Sequence, residues 1–242
     1  LLSGEIKMKK SLLVVALLSA FAPMVAQAEA GDIVVRLRAT NVNPNTNSKL
    51  GEITDAADVG FSSEALYGDS NANLQVGKNT IPELDISYYL TKNIAAELIL
   101  AVGTRHSVSV SPGTGAVAAD LGKVNLLPPT LTAQWHFNPD QTIDPYVGAG
   151  AAFVLGLDRK LTADATAAGL STYPIRIDRS AFGGVLQAGF DVNLQDKWLI
   201  NFDVKKIWVN TDVKLDLGSG YTKIDNLDLN PLVVSIGIGK KF

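Results

Sequence analysis

Eight separate segments of this chain alternate apolar and polar residues with a period of two. Ile33, Val35, Leu37 and Ala39 interleave with Val34, Arg36 and Arg38, and Leu84, Ile86, Tyr88 and Leu90 with Glu83, Asp85, Ser87 and Tyr89. The pattern continues at Glu97 to Leu100, Thr130 to Phe137, Val147 to Leu155, Val185 to Asn193, Trp198 to Lys205 and Leu232 to Phe242. A period of two is that of strands with two unlike faces. Beyond residue 28 no run of 18 apolar residues exists that could form a spanning helix. Hydrophobic residues nevertheless make up 47% of the 242 residues and charged residues 19%, with mean hydropathy +0.17. Such a chain is too apolar to stay disordered, so its strands must hide or use that apolar surface.

The N-terminus reads as a secretory leader. Met8, Lys9 and Lys10 precede the apolar run Leu12 to Ala22 and the small-x-small pattern Ala26, Gln27, Ala28. The run is too short to span a bilayer, which takes about 20 residues. Leu1 to Lys7 lie upstream of the start-like Met8. Cleavage near Ala28 is therefore expected, leaving residues 29–242 as one domain that is more acidic than the net −3 of the whole chain.

Connections between the strands alternate between short and long. Short turns fall at Thr91 to Asn93, Asn138 to Gln141 and Leu194 to Lys197; long segments span Asn41 to Asn79, Gly103 to Lys123, Asp158 to Asp178 and Asn210 to Asn226. This order places both termini on the short-turn side, as in an eight-stranded antiparallel transmembrane β-barrel with long extracellular loops and short periplasmic turns. A soluble lipocalin-like barrel is the competing architecture. The aromatics decide between them. Tyr88, Tyr89, Trp135, Phe137, Tyr146, Trp198 and Phe242 gather near the short turns or the C-terminus, as a membrane-interface girdle requires. Trp208, Phe153 and Tyr221 would form a weaker ring near the loops. The expected location is the outer membrane of a Gram-negative bacterium, in contact with its lipid and lipopolysaccharide, as a monomer.

Several functions are disfavoured by composition. A net negative chain with no basic patch does not suit nucleic acid. The absence of cysteine removes disulfides, thiolate metal sites and cysteine nucleophiles, and two histidines offer little for a metal; no cofactor is expected. His106 lies at the base of a long loop and His136 beside a short turn, so they cannot share a catalytic site. His106 with Ser107 or Ser109 is the remaining pairing that could act as a base, and a satisfied loop histidine is the simpler reading. Gly148-Ala149-Gly150 lacks the context of a dinucleotide fingerprint. Asp55, Asp58, Asp69, Asp158 and Asp164 lack the spacing of a calcium loop. The chain is not expected to be an enzyme.

Particular runs carry more. Asn93-Ile94 with Glu97-Leu98, Arg105-His106, Leu127-Pro128-Pro129-Thr130-Leu131 with Ala133-Gln134-Trp135, Pro145-Tyr146-Val147-Gly148-Ala149-Gly150, and Asp228 through Pro231 resemble the OmpW family of small outer-membrane channels. The resemblance covers essentially all of 29–242. It implies an eight-stranded barrel with an apolar passage for small hydrophobic molecules and a sideways exit through the wall. It also implies a constriction at Ile99 and Phe182, and Leu126 and Leu127 are expected to line the passage below the funnel of the long loops. Alternation independently puts Ile99 on the lumen side with Glu97, but puts Phe182 outside with Leu186 and Phe190 unless a bulge near Gly183-Gly184 re-aims it.

Pro128 and Pro129 lack N–H groups and fit a lateral opening or simply the start of a strand. Arg36, Arg38, Glu83, Asp85, Glu97, Asp203 and Lys205 should form a paired charge network in the lower lumen, because buried charges must be paired; Gln134, His136 and Asp191 should line the same region. At the C-terminus Phe242, Ile238 and Ile236 fit the signal read by the outer-membrane assembly machinery, whereas Lys240 departs from it, its stem able to lie along the barrel. Leu50, Ile53, Val59, Leu66 and Leu74 are too apolar for a solvated loop, so the first two long loops should fold into strand extensions forming an apolar funnel. The alternative function is a closed barrel acting through its loops in adhesion, stress protection or phage and bacteriocin recognition.

Overall fold

Backbone pairing turns the eight alternating segments into a ring. The computed structural model describes residues 29–48, 50, 71–101, 104–111, 119–158, 160–164, 172–216 and 218–242; the leader-like segment and residues 51–70, with Ile53, Val59 and Leu66, lie outside the described residues. The ring strands are β1 (Ile33–Asn43), β3 (Asn79–Tyr89), β4 (Ile94–Ala101), β7 (Thr130–His136), β8 (Ile143–Asp158), β11 (Ser180–Asn193), β12 (Trp198–Trp208) and β15 (Leu232–Lys241). Each pairs antiparallel with the next in that order, and β15 closes on β1 from Val34↔Lys241 to Asn43↔Leu232. Closure satisfies backbone groups that hydrocarbon cannot. Both ends of the described chain meet on the short-turn side, where the Phe242 N–H donates to the Ile33 carbonyl at 2.8 Å.

The outward face is that of a membrane barrel. Tyr88, Trp135, Phe137, Trp198 and Phe242 point outward around the short-turn rim, and Phe153, Phe182 and Trp208 do so near the opposite rim. Tyr89 and Tyr146 correct the expected girdle, for they are only 2% and 1% exposed and point into the lumen. Tyr88 and Tyr89 are consecutive on one strand, so only one can face lipid. Tyr221 belongs to the head beyond the membrane, where Arg176 lies 4.4 Å above its ring. Lys240 lays its amine 5.2 Å from the Trp198 ring centroid, at the interface.

The long connections are more ordered than their composition suggests. β2 (Asn73–Val76), β5 (Thr104–Ser111) and β6 (Ala119–Leu127) extend the barrel sheet, joined to β8 through β6. This is the extension expected for the first two loops. The third and fourth, read as polar and small-residue segments, also form strands: β9 (Lys160–Asp164), β10 (Thr172–Ile177), β13 (Asn210–Asp216) and β14 (Tyr221–Asp228) pair as a second sheet. Their inward positions, Leu161, Ile175, Ile177, Val213, Leu215 and Leu227, pack with Leu74, Val108, Val110, Leu121 and Val124 of the first sheet and with Leu50. The result is an apolar head over the barrel.

Inward glycines make room for large lumen side chains. A β-carbon at Gly237 would lie 2.6 Å from Cγ of Arg38, and one at Gly239 2.8 Å from Cγ of Arg36. Gly237→Val should therefore lower stability by about 1–3 kcal/mol in urea titrations of the lipid-inserted barrel, the usual cost of overpacking; an unchanged midpoint would contradict this packing.

Candidate functional site

The lumen is layered, because successive inward positions of all eight strands stack in tiers along the barrel. Nearest the short turns, Val34, Tyr89, Ala95 and Leu199 form a small apolar cluster. Above it lies the charge network, and every residue expected in it is buried there. Arg36 donates to Asp85 Oδ1 at 3.0 Å, Ser87 Oγ at 2.7 Å and Asp191 Oδ2 at 2.6 Å. Arg38 pairs with Glu83 at 2.9 Å, with Glu97 at 2.8 Å and with Asp85. Lys205 Nζ sits 2.6 Å from Asp203 Oδ1 and 3.4 Å from Glu83 Oε1. Thr132 and Gln187 donate to the second oxygen of Glu97, and Tyr146 to Asp203. Gln134, His136 and Asp191 are buried in the same region, His136 beside Asp144 at 2.7 Å.

Such a network seals the lower lumen against both water and apolar solutes, since entering it means separating desolvated pairs. Arg38→Ala would leave up to three carboxylates without their shared cation. Its cost should be about 3–5 kcal/mol, measured by urea unfolding in lipid; a loss below 1 kcal/mol would mean the charges are hydrated and the lumen open.

Above the network the lining turns apolar. A cavity of about 80 Å³ is walled by Val42, Ile81, Ile99, Ala101, Leu126, Pro128, Val154, Ile207, Val209, Leu229, Pro231 and Val233, and reaches Glu83 and Lys205 below. Ile99 is 2% exposed and lies in this wall. Leu126 lines it too, whereas its neighbour Leu127 does not, as alternation demands. A second, smaller apolar cavity in the head shares Val76, Leu126 and Leu229 with the chamber. The two are thus stacked beneath the extracellular face.

Phe182 is not part of the chamber. It is 73% exposed on the outer face, paired with the outward Phe153. No bulge re-aims it: β11 keeps continuous register with β8 from Ser180 to Val192 and with β12 from Gly184 onward. The chamber wall around Ile99 is formed instead by Ile81 of the neighbouring β3 and by Ile207 and Val233, which sequence reasoning missed. Their signal was present in strand parity, since Ile81 precedes Glu83, and Ile207 follows Lys205, by two residues.

The chamber wall has a gap in its ladder. β4 and β7 pair as far as Ile99↔Thr130, and pairing resumes only at Thr104↔Leu126 between β5 and β6. Between these points no backbone pair joins Leu100 and Ala101 to Leu127, Pro128 and Pro129 among the described residues. Pro128 lines the chamber at this gap, and the Pro129 carbonyl turns away to accept from Phe153 N–H at 2.9 Å.

His106 is the unexpected member of the chamber lining. It is 4% exposed because the chain at Gly77 folds against β5, and its contact there is that of the satisfied histidine expected beside a long loop. Its Nδ1 lies 2.8 Å from the Gly77 carbonyl oxygen, which can only accept, so Nδ1 carries the proton. β5 stands beyond the membrane-spanning strands, and burial there pushes the imidazole below its usual range, with the Gly77 contact offsetting this only in part. The ring is therefore neutral at pH 7. Its Nε2 is an acceptor with no hydrogen-bond partner among the described residues, on a ring that lines the chamber.

A closed eight-stranded barrel with a lipid-facing apolar surface, interfacial aromatics and an apolar chamber above a polar plug is a small outer-membrane protein. The match to a family model then gives the particular kind: residues 29–242 fit the OmpW family, and the chain belongs to it. It is 32% identical to outer membrane protein W of Vibrio cholerae over 97% of this chain and 100% of that protein. It is 39% identical to the outer-membrane protein y4mB of Sinorhizobium fredii over 74% of this chain and 73% of that one. The crystal structure of OprG from Pseudomonas aeruginosa superposes with a TM-score of 0.72 at 25% identity, covering 88% of this chain and 97% of that chain.

Proposed function

We propose that this barrel, after removal of residues 1–28, takes up small hydrophobic molecules passively and releases them sideways into the outer membrane. The observation that carries the reading is the juxtaposition of an apolar chamber, a sealed floor and an unladdered stretch of wall. A solute that descends through the apolar head meets no polar barrier until the Glu83–Lys205 floor, where it must stop. The gap beside Pro128 and Pro129 is then the exit of least cost, because no hydrogen-bond ladder has to break there. Hydrated ions are disfavoured, since Ile99 and its neighbours offer no ligands to replace water. Phe242, outward at the short-turn rim, remains the proposed contact for the assembly machinery.

The test is uptake of a labelled small aromatic hydrocarbon by cells lacking their own copy, at matched outer-membrane levels. Wild type should exceed empty cells several-fold, and Ile99→Lys should abolish the difference by placing a charge in the chamber. Replacing Pro128 and Pro129 together by valine restores two N–H donors and should slow uptake by letting the ladder close. Uptake no faster than in empty cells, with the barrel correctly inserted, would leave the loop-mediated interaction protein as the better account.

A further inference from the structure

Among the described residues, His106 brings to the chamber wall a ring nitrogen that makes no hydrogen bond. Glu83 and Lys205 at the chamber floor already serve each other, and Arg38 forms an ion pair with the same Glu83 oxygen at 2.9 Å. Lys205 is held further by Asp203. His106 differs. Its Nδ1 proton is committed to the Gly77 carbonyl, which fixes the tautomer and leaves Nε2 a lone pair, on a ring that lines the chamber together with Ile81, Ile99, Leu126 and Val154. An acceptor without a donor beside apolar walls is poorly satisfied, and a ligand that brings a donor satisfies it.

We propose that the chamber prefers neutral apolar molecules carrying one hydrogen-bond donor, such as phenols or medium-chain alcohols, over hydrocarbons of the same size, with the hydroxyl donating to Nε2 of His106. The inference rests on the channel reading for its biological meaning but not for its chemistry. Anions are excluded by the same features: a carboxylate has no proton to give Nε2, and it meets Glu83 at the floor. The buried lumen as a whole adds to this, with Arg36, Arg38, Lys205 and Lys241 set against Glu83, Asp85, Glu97, Asp144, Asp191 and Asp203. Like-charge contact in a desolvated space opposes a further negative group.

Phenol, toluene and benzoate share one ring and differ in the group that would face His106, so they serve as probes. Equilibrium binding of each to the purified barrel in lipid nanodiscs, corrected for empty nanodiscs, is compared with uptake into cells. Wild type should bind phenol about twofold to tenfold better than toluene, the equivalent of one hydrogen bond, and benzoate least. His106→Phe keeps an aromatic ring without the acceptor and should bring the phenol-to-toluene ratio to about one. His106→Gln restores an acceptor oxygen and should recover part of the ratio. The proposal is overturned if wild type shows no phenol preference, if the preference survives in His106→Phe, or if His106→Gln is as poor as His106→Phe, which would assign the loss to packing. Binding of phenol that depends on His106, with no solute entering cells faster than into empty cells, would uphold the site and sink the channel reading instead.

Discussion

A chain crossing hydrocarbon must satisfy its backbone N–H and C=O groups internally, and that requirement closes the eight strands into one ring. Everything else in the molecule answers to it. Eight strands give an interior only wide enough for side chains to fill, so the lumen is packed rather than open. Inward glycines on β15 and β8 make space, and Arg36 and Arg38 occupy the part nearest β15. The cost of desolvating those cations is offset only because Asp85, Glu83, Glu97 and Asp191 converge on them from three other strands. The plug is thus a consequence of closure at this strand number.

The place where closure is relaxed is confined to one segment. β8 is long enough to pair first with β7 and then with β6, which holds both sides of the Pro128-Pro129 interruption to a common strand. The wall can therefore lack a ladder toward β4 without the barrel losing its edge. The interruption lies level with the apolar chamber and above the charge network, where unpaired backbone is nearest the rim. Beyond it, the two loop sheets bury their apolar faces against each other. Loops of that composition could not remain solvated, and their packing continues the apolar lining upward from the barrel.

Much of this was legible in the chain. Alternation identified all eight ring strands, and parity alone put Ile99, Glu97, Arg38 and Lys205 on the lumen side. Where two signals disagreed, geometry chose parity. Phe182 matches a family constriction, yet uninterrupted pairing on both sides of β11 keeps it on the lipid face. Tyr89 and Tyr146 sit near short turns like girdle residues, but their parity is that of Asp85 and Asp144, and they end in the lumen beside His136. The strands of the third and fourth loops were hidden by their polar outer faces and short length, with only every second residue apolar.

What the sequence determined by itself is the set of faces: which residues of each strand look to lipid and which look inward, since a period of two leaves no freedom once pairing exists. Tertiary structure alone decided which inward residues meet. That Arg38 joins Glu83, Asp85 and Glu97, that Ile99 faces Ile207 and Val233 across a chamber, and that His106 is left with an unused acceptor all depend on stagger between strands far apart in the chain. Register sets that stagger, and register is a property of the closed ring rather than of any one strand.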